Sequence, residues 1–168
     1  LNRHAKALTG DGRRLSLIHD LRKLSGHIEL YEGFRGVTDI TQTISRSPKL
    51  QAVLKKLDEI KRRKEKALVF TEIRNLQIIL RVAIQHTFGL EVDVISGDAA
   101  SAGNNIRKNR SDRIADFEAK EGFNVIIMSP IAAGVGLNVT KANHIIHYTR
   151  HWNPAKEEQA TDRAYRIG

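Results

Sequence analysis

The chain has 168 residues, 40% hydrophobic and only 5% aromatic, which suits one compact domain around an aliphatic core, with at most a small appendage. It holds no cysteine, which excludes disulfides and thiolate zinc sites, and no apolar run of about 18 residues, which excludes a transmembrane helix. Its 28 Lys and Arg against 19 Asp and Glu leave a formal charge of +9, which fits a polyanionic partner or a solvated basic surface. The first residue is Leu1, with no charged-then-apolar leader behind it, so an intracellular piece of a larger protein is expected.

Leu17, Leu21, Leu24 and Ile28 recur at helical spacing and predict one helix face; Gly33 and Gly36 then interrupt it. Thr38 to Ser47 is polar and reads as a loop. Residues 1–47 therefore form a helical and linker segment leading into a regular lobe over 48–168. Ser47-Pro48 is a cap followed by a first-turn proline, and Leu50, Val53, Leu54, Leu57 and Ile60 continue the helix. Lys61 to Lys64 closes it, where cations suit the helix dipole. Short apolar runs at 67–70, 92–95, 125–128 and 144–148 predict strands. Helices are expected between them, around Leu76 to Ala83 and Arg107 to Lys120, and again from Pro154. Apolar strands alternating with amphipathic helices give an α/β fold, a parallel sheet with helices on both faces, plus the N-terminal helical segment.

In such sheets ligands sit at the carboxyl ends of the strands. The segments to inspect are Thr71-Glu72, Gly97-Asp98, Ser129 to Asn138 and Thr149 to Asn153. Gly134 and Gly136 let a backbone approach a ligand closely, or simply make a tight strand-to-helix turn. Trp152, the only tryptophan, can stack on a base or cap the core. The seven histidines show no metal-ligand spacing and read as structural or surface groups. Arg163 and Arg166 stand three apart on a predicted helix, so their guanidiniums share one face. That pairing calls for an anion: a triphosphate, or intrahelical partners at Glu157 and Glu158. No Gly-Lys-Ser/Thr loop and no acidic pair after a strand is present. The arginine half of a phosphoryl-transfer site thus stands without its phosphate cradle, which leaves the arginines another purpose or the cradle another domain.

Taken in order, these segments resemble the second motor lobe of Swi/Snf-type ATPases in helicase superfamily two. The likeness runs from Lys66 to Gly168 through Lys66-Ala67-Leu68-Val69-Phe70-Thr71, Ser96-Gly97-Asp98 with Arg113 and Phe117, and Ser129 to Val139. It ends on Trp152-Asn153-Pro154 and Gln159-Ala160-Thr161-Asp162-Arg163-Ala164-Tyr165-Arg166-Ile167-Gly168. Ser47 to Leu57 extends it, and Leu17 to His27 resembles the preceding helix. The resemblance implies a RecA-like lobe, cut within its last motif, that shares an ATP and Mg2+ site with a first RecA-like lobe of the same chain. That first lobe would hold most of the nucleotide and the metal. It implies that Arg163 and Arg166 reach the phosphates. Gly134, Gly136, Asn138, Gln159 and Asp162 would serve nucleotide binding and coupling. Thr71, Gly97, Ser129 and Trp152 would line a double-stranded DNA track. The chain departs from the family pattern at Ile131, Ala133 and His151, and its Ala99-to-Arg110 loop is long. Two other readings stay open: a strand-separating helicase lobe, and a non-catalytic basic module that binds DNA or protein. A prokaryotic cytoplasm is expected over a nucleus.

Overall fold

The computed structural model describes residues 10–96, 109–134, 139–150, 153–155, 158 and 161–162. Four helices come first: α1 (Gly10–Gly26), α2 (Ile28–Glu32), α3 (Ile40–Ser45) and α4 (Pro48–Arg62). Then follow β1 (Lys66–Phe70), α5 (Arg74–Phe88), β2 (Asp93–Ile95), α6 (Arg110–Ala119), β3 (Asn124–Met128), α7 (Pro130–Gly134) and β4 (His144–His147). All strand pairings are parallel, in the order β2-β3-β1-β4.

Alternation along the strands divides the core in two. Ala67 and Val69 of β1, with Val125 and Ile127 of β3, pack with Leu50, Leu57, Leu76 and Leu80 of α4 and α5. Leu68 and Phe70, with Ile126 and Met128, pack with Ile114 and Phe117 of α6 and with Ala132 and Val139. Successive residues of a strand face opposite sides, so a strand apolar at every position must be covered twice. Both central strands are buried at all five positions, as that rule requires. The expected α/β sheet with helices on both faces is the one observed.

Local signals set the boundaries. The Ser47 hydroxyl accepts from the Leu50 N–H at 3.2 Å and Pro48 takes the first turn of α4. Asn109 and Asp112 form a reciprocal capping box at the start of α6. Gly89 ends α5 with a positive φ of 68°, a conformation that costs other residues a steric penalty.

Two sequence expectations are corrected. Residues 38–47 are not a loop, because Asp39 accepts from the Thr41 and Gln42 N–H groups at 2.9 and 3.1 Å and opens α3. A polar stretch with a strong cap can nucleate a short helix that other elements then hold. Nor do Leu17, Leu21, Leu24 and Ile28 form one helical face. The helix stops at Gly26, and buried His27 caps a new one, its Nδ1 taking the Glu29 N–H. The three leucines are 61%, 54% and 44% exposed.

Candidate functional site

Each of the three strands β2, β3 and β1 hands over to a hydroxyl residue at the same level. Strand register aligns Ile95, Met128 and Phe70, so Ser96, Ser129 and Thr71 follow in a row along the carboxyl edge. Thr149 extends the row beyond β4. All four are buried, between 0% and 8% exposed. Thr149 donates to the Thr71 hydroxyl at 3.1 Å, and the Thr71 carbonyl accepts from the Gln77 amide at 2.9 Å. The Thr71 N–H donates to the Met128 carbonyl and the Ser129 N–H to the Ile95 carbonyl. The Ser129 hydroxyl accepts from the Ala132 N–H at 3.1 Å and so caps α7. These bonds satisfy backbone groups that the ending ladder would otherwise leave unpaired. They also fix where each following segment departs.

The last segment is tied to the same edge. Asn153 accepts from the Ala155 N–H at 3.0 Å beside Pro154, which starts a helical turn as expected. Thr161 meets His147 Nε2 at 3.0 Å, and His147 stacks on Phe70 with ring centroids 5.1 Å apart. His147, Arg150, Pro154, Glu158, Thr161 and Asp162 line a shallow groove here. His144 points the other way and pairs with Glu65, so the two histidines do face opposite sides and hold structure.

Tyr148 sits behind this edge. It is 1% exposed, and burial pushes its phenol up to about 12, with a Ser47 hydrogen bond opposing the shift. The Lys49 ammonium lies 5.0 Å over its ring, and burial lowers the Lys49 pKa. At the opposite end of the sheet, burial lowers the Lys66 pKa, with Lys141 adding like-charge repulsion. Its ammonium donates to the Glu118 carbonyl at 2.7 Å.

Of the residues named from sequence, Thr71 and Ser129 come together on neighbouring strand ends. Gly134 is the last residue of α7, and Asp162 is exposed beside Thr161. Gly97, Gly136, Asn138, Trp152, Gln159, Arg163 and Arg166 lie outside the described residues. Sequence reasoning missed Gln77 and Tyr148. The signal for Gln77 was a polar residue among the apolar positions of α5; Tyr148 carried none, since it read as one more strand residue. Among the described residues no group of three His, Cys, Asp or Glu side chains could hold a metal ion.

Comparison with known proteins decides the lineage of this edge: residues 48–168 match the helicase conserved C-terminal domain. The chain belongs to that family. Within it the lobe is of the Swi/Snf type and RecA-like. It is similar to the Sulfolobus solfataricus SWI2/SNF2 ATPase core in complex with dsDNA, with a TM-score of 0.74, 31% identity, and coverage of 95% of this chain and 31% of that one. It is 46% identical over 155 residues to the Zorya protein ZorD of Escherichia coli, covering 92% of this chain and 14% of that protein. It is 36% identical over 169 residues to the Bacillus subtilis protein YwqA, covering 98% of this chain and 17% of that protein. The lobe thus spans less than a fifth of the length of these curated relatives. Among its described residues no helix is long and apolar enough to cross a membrane.

Proposed function

We propose that the lobe is the C-terminal half of an ATP-dependent double-stranded DNA translocase. The observation that carries this reading is the carboxyl edge. Four parallel strands end on one side of the sheet, where Thr71, Ser96, Ser129 and Thr149, each in a segment that follows a strand, are buried. A DNA-bound SWI2/SNF2 ATPase core shares the fold over 95% of the chain.

In this reading ATP and Mg2+ are held mainly by a first lobe, and ATP hydrolysis supplies the free energy for movement. Arg163 and Arg166 project their guanidinium forks across the cleft and neutralise charge that develops on the transferred phosphate. Gly134, Gly136 and Asn138 bring the backbone close to the cleft, and Gln159 and Asp162 complete the coupling surface. The buried hydroxyls of Thr71 and Ser129 hold their backbones in place, so that these segments, with Gly97 and Trp152, follow the sugar-phosphate track. The +9 charge suits that polyanion. The E. coli and B. subtilis relatives favour a prokaryotic cytoplasm, and the bound protein that the motor displaces is unassigned.

The test uses the full-length protein. Arg166→Ala should lower ATP turnover by about a thousandfold or more, the scale of an arginine finger, and leave duplex binding in place. Normal turnover with lost DNA binding would reverse the assignment. Residues 1–168 alone should show no turnover above background. On a tailed duplex the full protein should translocate without separating strands; efficient unwinding would favour the strand-separating reading.

A further inference from the structure

The carboxyl ends of β1 and β4 are both fastened to the end of α1, a helix with no role in the site described above. The Tyr148 hydroxyl donates to the Gly26 carbonyl at 3.1 Å, joining positions 122 residues apart. Four residues before Gly26, Arg22 pairs with Glu72, the residue after Thr71. Lys49 reaches the Ser25 carbonyl at 3.4 Å from the first turn of α4. The fit at Gly26 is close, since a Cβ there would meet Leu30 and Leu76 side-chain carbons at 3.4 Å.

Tyr148 stands at the centre of these ties. Its own N–H donates to the Phe70 carbonyl at 2.9 Å, immediately before Thr71. It lies four residues before Trp152 in the chain. A shift of α1 against the sheet must break these contacts or carry the two strand ends with it. In an aliphatic core a phenylalanine would normally serve better than a phenol, whose hydroxyl is costly to bury unless it is hydrogen-bonded. Here its hydroxyl is spent on a helix-terminal carbonyl, one of the groups that no intrahelical N–H can satisfy.

We infer that Tyr148 is a positioning residue that couples α1 to the proposed DNA-track segment at Thr71, so that duplex engagement is converted into faster ATP hydrolysis. The inference rests on the motor reading given above. A merely structural tyrosine would affect stability and nothing else.

The experiment measures ATPase rate with and without duplex DNA, together with thermal stability, in the full-length protein. Tyr148→Phe keeps the ring and its burial and removes only the hydroxyl. The basal rate should stay at the wild-type level. The DNA-stimulated rate should fall about threefold or more, the scale of one lost hydrogen bond expressed in coupling. Arg22→Gln, on the partly exposed side of the same clamp, should give the same loss of stimulation, and decides alone where the Tyr148 variant fails to fold. A lowered melting temperature with an unchanged ratio of stimulated to basal rate overturns the inference. A wild-type protein whose ATPase ignores duplex DNA overturns the motor reading itself, and this inference with it.

Discussion

At Tyr148 the interior acts on a single titratable group. Its folded value of about 12 lies above the ordinary 10, because burial penalises the phenolate. A raised folded pKa contributes stability that is present below pH 10 and is lost as pH rises through 12. Alkaline unfolding should therefore steepen across that window in the wild type, and Tyr148→Phe should flatten the loss. Circular dichroism at stepped pH measures it, and identical alkaline profiles would contradict the burial argument. Lys49 faces the ring and Ser47 the hydroxyl, so both belong to the environment that this titration reads.

Among the elements, α4 joins a side-chain cap to a buried apolar face. Its apolar residues Leu50, Leu54, Leu57 and Ile60 are buried, yet its exposed face is crowded with lysines. Ser47 satisfies one of the four unpaired N–H groups at its start. Ser47→Ala should cost about 1 kcal/mol, read as a lower urea midpoint with an unchanged slope. A neutral result would mean that Pro48 and tertiary packing alone hold the first turn. The central strands pose the opposite case. β1 is buried at every position and needs both helical layers to exist, so no local signal in its five residues stabilises it alone.

For the molecule as a whole, charge and cleft geometry make separate demands. Duplex affinity of the full-length protein should fall with salt at a slope of about −0.9 per phosphate neutralised in a log–log plot. Arg163→Ala and Arg166→Ala should leave that slope unchanged, because the proposed target of both is the nucleotide. A shallower slope in either variant, measured by fluorescence anisotropy, would reassign that arginine to the DNA track.

Periodicity made β1, β3, α4 and α5 readable from the chain alone, because apolar runs and helical spacing are short-range consequences of burial. Ser47-Pro48 carried its own conformational signal. The ordered motifs from Lys66 to Gly168 identified the lobe. The sequence could not say that Asp39 would turn a polar stretch into α3, or that His27 would split the first helix, since each outcome depends on which competing cap wins. Only the tertiary structure aligned Ser96, Ser129 and Thr71 along one edge, and only it brought Tyr148 against Gly26. Register and long-range contact come from packing two helical layers onto one sheet, a constraint that no local window of residues contains.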